Sequence, residues 1–243
     1  MNSSVVQFNI DQWQAWAPGL ASVDDWAIWA KAPRCLAASE EAPDVAFLPA
    51  MQRRRLSRLA RMAFTVARPL AAEQPPMPLI YASRHGDTPR TFAMLSDLAR
   101  DQQVSPTQFS LSVHNAVIGL WSILQNNTSE MTAIAAQGDG LEHAVLEAGL
   151  LIGEGAPAVL VVIAEDLPPS IYKPWVDDVG FPYALALLIK PGNGWQLSLE
   201  ESDKPFHPPR WPHALELIRA LLNGQPSCQH QWMGRQWNWQ QTH

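Results

Sequence analysis

Ala133-Ile-Ala-Ala-Gln-Gly-Asp-Gly-Leu-Glu-His143 is the stretch that decides how this chain folds. Met131 to Ala136 is an apolar run of strand length, Gln137-Gly138-Asp139-Gly140 is turn chemistry, and Leu141 to Ile152 has the apolar spacing of a helix. A sharp turn from a buried strand into a helix lifts one side chain to the sheet edge. It also aims that side chain at the helix N-terminus, where free N–H groups favour negative charge. A nucleophile there would be activated. The residue on the turn is Gln137, whose carboxamide can only donate and accept hydrogen bonds. The plainer reading is an ordinary turn with Asp139 as the helix cap. Gly138-Asp139-Gly140 is not a dinucleotide fingerprint, because His143 stands where the third glycine would be.

Working outward, Ala158 to Ala164 is a continuous apolar strand of the kind buried on both faces. Beyond Pro168-Pro169, Tyr183 to Ile189 and Trp195 to Glu200 flank Pro191-Gly192-Asn193-Gly194, which predicts a hairpin. Pro212 to Leu222 reads as a last helix stopped by Gly224, and Gln231 to Trp239 as an edge strand. Upstream, Ser112 to Leu124 reads as one helix, with Gly119 marking close approach of another backbone. Leu79 to Ser83 is a short strand turning at His85-Gly86-Asp87. Thr91 to Arg100 is a helix capped by Asp87 or Thr88.

From Met51 to Phe64, Leu56, Leu59, Ala60 and Ala63 make one apolar helical stripe. Pro69 and Pro75-Pro76 stop this helix or follow its end. Val5 to Ile10 is a first strand. Asp11 to Pro49 is a long connection pinned by burial of Trp13, Trp16, Trp26 and Trp29. The succession of strands and helices predicts an α/β sandwich with a mostly parallel sheet.

The 243 residues suit one α/β domain or two small ones. With 47% hydrophobic and 16% charged residues the composition is globular, not disordered. Lys+Arg 17 against Asp+Glu 23 gives a net charge of −6, so there is no overall field for nucleic acid or anionic lipid. Apolar runs are too short to span a bilayer, and the N-terminus lacks the basic region of a signal peptide. Cys35 and Cys228 have no metal spacing and read as thiols of a reducing compartment, so the expected location is cytoplasmic.

Other candidates for chemistry are weaker. Ser112 and His114 suggest a serine hydrolase, but residues two apart on a helix do not face each other and no GxSxG elbow surrounds them. Arg53, Arg54, Arg55, Arg58 and Arg61 could meet an acidic partner or be a solvated helix face. His143 and Glu147 form a helical i, i+4 pair with no third metal ligand at matching spacing.

On these residues the sequence resembles the N-terminal half of β-ketoacyl synthases. Ser105-Pro106, Asn115, Gly119 and Ile123 are similar to the family's segment before its active-site strand. Ile134-Ala-Ala-Gln-Gly-Asp-Gly140 resembles its strand and nucleophile elbow. Counting without a gap from the elbow to Ala156 and Ala158 places Gln137 on the catalytic cysteine. Glutamine there resembles the chain length factors, noncatalytic partners of type II polyketide ketosynthases. Leu48-Pro-Ala-Met-Gln-Arg-Arg-Arg-Leu-Ser-Arg-Leu-Ala-Arg-Met62 resembles the short ketosynthase-like proteins of aryl polyene clusters. The likeness runs from about Val5 to Glu200.

It implies one thiolase-like half domain over residues 1–243, α/β/α, with a mostly five-stranded mixed sheet plus an added hairpin and no C-terminal ketosynthase half. Nothing after Pro168 offers His-Gly-Thr-Gly or Asn-Phe-Gly-Phe-Gly, and neither motif surrounds His207 or His213. Both the thiol and its histidines are therefore missing, and with them the nucleophile and its stabilising groups.

The resemblance implies a non-catalytic subunit that pairs with a full-length ketosynthase and transiently meets an acyl carrier protein. It implies no cofactor, metal, nucleic acid or membrane span. The alternative is a malonyl-carrier-protein decarboxylase using the glutamine elbow. Pairing would run beside Met131 to Ala136. Thr107, Gln108, Phe109 and Leu111 would shape the partner's acyl pocket or serve as local core, with His114, Asn115, Gln137, Gly138 and Asp139 completing the interface. Arg53, Arg54, Arg55 and Arg58 would face the carrier protein.

Overall fold

Residues 4–37, 39–101, 103–176 and 178–242 are described by a computed structural model. In chain order the elements are β1 (Ser4–Trp16), α1 (Val23–Lys31), α2 (Ala50–Arg53), α3 (Arg58–Ala71), β2 (Leu79–Ala82), α4 (Thr88–Asp101), α5 (Pro106–Ser112), α6 (Ala116–Gln125), β3 (Met131–Ile134), α7 (Gly140–Gly153), β4 (Val159–Glu165), β5 (Tyr183–Glu201), α8 (His213–Leu222), β6 (Ser227–Trp232) and β7 (Arg235–Gln241). The strands form one mixed sheet in the order β3-β2-β4-β5-β7-β6, with β1 also paired to β5.

The expected five-stranded frame is β3-β2-β4-β5-β1, and the single edge strand expected over 231–239 is instead the β6–β7 hairpin, turning between Trp232 and Arg235. The expectation of mostly parallel pairing does not hold. β2 runs parallel to β3 and β4, but β5 is antiparallel to β4, β1 and β7. A parallel return needs a crossover, usually a helix. Among its described residues, the segment between β4 and β5 has only the single 3-10 turn Ser170–Tyr172.

Every residue of β4 is buried because the sheet is covered on both faces. Val159, Val161 and Ile163 pack under α7 and α8, whereas Leu160, Val162 and Ala164 pack under α3 and α6. On α3 the stripe Leu59, Ala60 and Ala63 is buried, extended by Met62, Phe64, Val66, Ala67 and Leu70. The helix expected over 51–64 is broken between Arg53 and Arg58. Ser57 restarts it by accepting from the Ala60 N–H at 3.2 Å. Pro69 lies inside α3 and does not stop it, and the helix runs on to Ala71.

The hairpin expected around Pro191-Gly194 is instead a bulge in one long strand. β1 pairs Phe8 with Trp195 and Asn9 with Lys190, so residues 191–194 are looped out. Asn9 holds the bulge: its Nδ2 donates to Pro191 O at 3.4 Å and its Oδ1 accepts from Gly194 N at 2.8 Å. A Cβ on Gly192, whose φ is +156°, would lie 2.1 Å from that Asn9 nitrogen.

The expected connection over 11–49 contains the second half of β1 and then α1, closed at its start by a Ser22–Asp25 capping box. Trp16, Trp26 and Trp29 are buried as expected and Trp13 partly so. Trp29 meets Trp26, Phe181 and Trp211 edge-on with ring centroids 5.5, 6.1 and 5.3 Å apart. The helix expected over 112–124 is α6, which starts only at Ala116, and a separate short helix, α5, ends at Ser112. Ser105 caps α5. A Cβ on Gly119 would meet nothing within 4 Å, so no described backbone approaches it.

Candidate functional site at the strand–helix elbow

β3 ends at Ile134 and α7 begins at Gly140, so the chain reverses through Gln137-Gly138-Asp139 as its spacing predicts. The Trp232 indole from the end of β6 lies over this turn. Its Nε1 donates to Gln137 Oε1 at 2.9 Å. An indole only donates, so the carboxamide presents its oxygen. A Cβ on Gly138 would lie 2.1 Å from a Trp232 ring carbon, so only glycine admits the indole here. Trp232 is itself held by the Arg84 guanidinium, 5.3 Å over the ring, and by Phe206 edge-on at 5.1 Å. Arg84 Nη1 pairs with Asp178 at 2.7 Å, which also meets His85 Nε2 at 3.0 Å.

Beneath the elbow is a cavity of about 440 Å³ lined by Gln137, Gly138, Leu141, Glu165, His213 and Trp232, among others. Glu165 ends β4 and is buried. It accepts from the backbone N–H groups of Arg84 and His85 and from Ser83 Oγ. Burial pushes its pKa up to about 7, and those donors oppose the rise. Nothing in the periodicity singled out Glu165. The available signal was a carboxylate closing an otherwise apolar strand.

Asp139 occupies the α7 N-cap position but caps nothing with its side chain. Its fully buried carboxylate accepts from Arg235 Nε at 2.6 Å and Trp237 Nε1 at 3.1 Å, and lies 3.4 Å from His143 Nε2. Burial would raise its pKa, but donation from His143, Arg235 and Trp237 outweighs burial and holds it well below the carboxylate range. One turn on, Glu142 points into the core. It meets His213 Nδ1 at 2.9 Å, His230 Nδ1 at 2.5 Å and Trp239 Nε1 at 3.2 Å. Burial opposes its charge, yet the two imidazoles hold its pKa below the usual range. Burial likewise lowers the pKa of His213, but Glu142 raises it overall. α7 is thereby fastened to α8, β6 and β7.

The remaining candidates fall into two groups. Thr107, Gln108 and Phe109 are exposed on α5, with Phe109 57% accessible, so the core-packing reading of that residue does not hold. Neither they nor the half-buried Leu111 line the elbow cavity. His114 Nε2 meets Ser83 O at 2.8 Å, while Ser112 Oγ donates to Phe109 O at 2.9 Å, so no serine–histidine pair assembles. Asn115 is exposed at the start of α6 and makes no capping bond.

Arg58 is committed to a bidentate pair with Asp166, at 3.0 and 2.5 Å, and to Ser39 O at 2.8 Å. Arg54 and Arg55 stay exposed, and Arg53 stands 4.0 Å from Asp44. His143 turns to Asp139, away from the expected Glu147. His207 is exposed. Cys35 and Cys228 are both free, and burial, Glu142 and Glu216 push the Cys228 thiol up to about 12. Among the described residues no helix is long and apolar enough to cross a membrane.

The β-ketoacyl synthase N-terminal domain model matches residues 26–240, beyond the Glu200 limit of the sequence likeness. No curated protein matches the chain. Among solved structures, a chain described as "Ketosynthase (ApeO) in Complex with its Chain Length Factor (ApeC) from Xenorhabdus doucetiae" superposes with a TM-score of 0.87 at 30% identity. The match covers 97% of this chain and 100% of that one. "The ishigamide ketosynthase/chain length factor" gives 0.63 at 14% identity, covering 83% and 68%. A type II PKS acyl-carrier protein in complex with its ketosynthase, AntDE:AntF, gives 0.63 at 13%, covering 84% and 71%. The last two show likeness of fold alone.

Proposed function

The chain belongs to the β-ketoacyl synthase family through its N-terminal domain, and we propose that it is a non-catalytic, chain length factor-like subunit acting as a single half domain. In this reading it pairs with a full-length ketosynthase bearing the cysteine and both histidines. Together they extend chains on an acyl carrier protein in aryl polyene or related type II polyketide synthesis. The observation that carries it is Gln137. At the position that the resemblance gives to the family's nucleophile stands a carboxamide whose oxygen is already taken by Trp232 Nε1 at 2.9 Å. The structure with 30% identity is described as a ketosynthase in complex with its chain length factor, which supports the pairing.

The surface for the partner is the β3 edge. Among the described residues β3 pairs only with β2, leaving one row of backbone donors and acceptors open. Beside it α6 exposes Ile123 at 77% and α7 exposes Leu150 at 54%. Leu146, Glu147 and Leu150 line a groove against Ile134. Such an edge with apolar flanks suits strand-to-strand association. Thr107, Gln108, Phe109 and Leu111 project on α5 and shape the end of the partner's acyl pocket. Exposed Arg54 and Arg55 are the arginines left for a carrier protein.

Co-expression with the neighbouring ketosynthase tests the pairing, and the two chains are expected to co-purify. A stable monomer that ignores the ketosynthase overturns it. So does acyl loading of this chain from a carrier protein. Phe109→Ala is expected to change product length in the reconstituted pair. Release of carbon dioxide from malonyl-carrier protein by the chain alone, lost in Gln137→Ala, would favour the decarboxylase instead.

A further inference from the structure

Three elements bury one metal-ligating side chain each at a common point: Glu142 of α7, His213 of α8 and His230 of β6, exposed by 0%, 2% and 5%. One ligand atom from each lies within 4.8 Å of the others. The two imidazoles stack with centroids 4.4 Å apart at 28° and both turn Nδ1 to the same carboxylate. The Trp239 indole completes the carboxylate's donors. Both Nε2 atoms are then buried without a hydrogen-bond partner. Indole rings flank the imidazoles, Trp232 beside His213 at 6.3 Å and Trp239 beside His230 at 6.5 Å between centroids.

Three ionisable side chains from three separate elements converge in the core, and buried charges are ordinarily paired or held on a metal. Two imidazoles and a carboxylate are a familiar donor set for zinc. We propose that Glu142, His213 and His230 form a site for a borderline divalent transition ion of the zinc class. The ion fastens α8 and the β6–β7 hairpin to α7. Imidazole nitrogen selects zinc, cobalt or nickel over magnesium and calcium, which take oxygen. Binding exchanges the ring protons at the coordinating nitrogens for the metal. His213 also lines the cavity beneath the elbow, which can supply a water as a fourth ligand. Full burial makes the role structural, and it is independent of whether the chain pairs with a ketosynthase.

The test uses the full chain, purified without a histidine tag. Metal analysis is expected to find one zinc per chain. After chelator treatment, added Zn²⁺ should raise the melting temperature, and Co²⁺ should give the visible absorption of a low-coordinate nitrogen–oxygen site. His213→Gln and His230→Gln should each weaken zinc binding by about a hundredfold or more, while His207→Ala should leave it unchanged. The proposal is overturned if the folded wild-type chain is metal-free, fails to compete with a chromogenic chelator for Zn²⁺, and gives no Co²⁺ spectrum. It is equally overturned if zinc binding survives in both histidine variants. The Co²⁺ spectrum needs only the wild-type chain, so a variant that does not fold leaves the proposal decidable.

Discussion

The two flanks of α7 have been treated in opposite ways. Its N-terminal turn is tied down: Asp139 and Glu142 hold Arg235, Trp237, His213, His230 and Trp239, and Trp232 lies across Gly138. Its later turns, beside the unpaired edge of β3, leave Leu146 half-buried and Leu150 exposed. The first flank is where the family resemblance places bond-making chemistry, and here the chain's own C-terminal elements cover it. The second is where it places the partner, and there the surface stays open. A subunit that has given up catalysis but kept assembly would be closed and open in these two places.

The largest effect is expected on the closed flank. Asp139→Ala removes the acceptor of the partly exposed Arg235 guanidinium and of the buried Trp237 N–H, and urea unfolding should show a loss of about 3 kcal/mol. Unchanged stability would mean that Asp139 does not hold the hairpin to α7.

Next comes the pH dependence of Glu165. Its carboxyl is raised from 4.5 to about 7 by burial in the folded chain. The stability it contributes is therefore complete below about pH 4.5 and is lost as pH rises through 7, by roughly 3 kcal/mol at most. Glu165→Gln should flatten this fall relative to wild type. Parallel pH curves for the two proteins would show the raised pKa to be absent.

Gly138→Ala should cost about 1–3 kcal/mol, because a Cβ drives the indole off the elbow. Tryptophan fluorescence would report the displacement, and an unchanged spectrum would break the account of the cap. On the open flank the effect on stability should be smallest. Ile123→Asp and Leu150→Asp are expected to stay within about 0.5 kcal/mol of wild type, yet to lose co-purification with the ketosynthase. If they unfold the chain instead, that flank is core and not interface.

What could be read in the sequence was what is local. The elbow is strand, turn and helix within a dozen residues, and both its geometry and the chemical silence of Gln137 follow from the residues alone. The α3 stripe and the fully buried β4 are equally local. Pro191-Gly192-Asn193-Gly194 misled because a hairpin turn and a clamped bulge use the same residue types. Only the Asn9 side chain, on a strand far away in sequence, tells them apart. Trp232 over Gln137, Arg235 on Asp139 and the histidines on Glu142 join positions 71 to 96 residues apart. No periodicity carries such pairings. Neither family motif surrounds His213, and it and His230 meet Glu142 only once the chain has folded.

β1 completes its pairing only with residues that lie up to 195 positions further along, where Ser4 meets Leu199. At about 5–20 residues per second of synthesis, this strand waits roughly 10–40 s on the ribosome before its neighbour exists. Through that interval it carries Phe8, Trp13 and Trp16 with both hydrogen-bonding edges bare. Late docking of the first strand makes the nascent chain a natural client for chaperones, and its yield in a cell should respond to translation speed more than its folded stability would suggest.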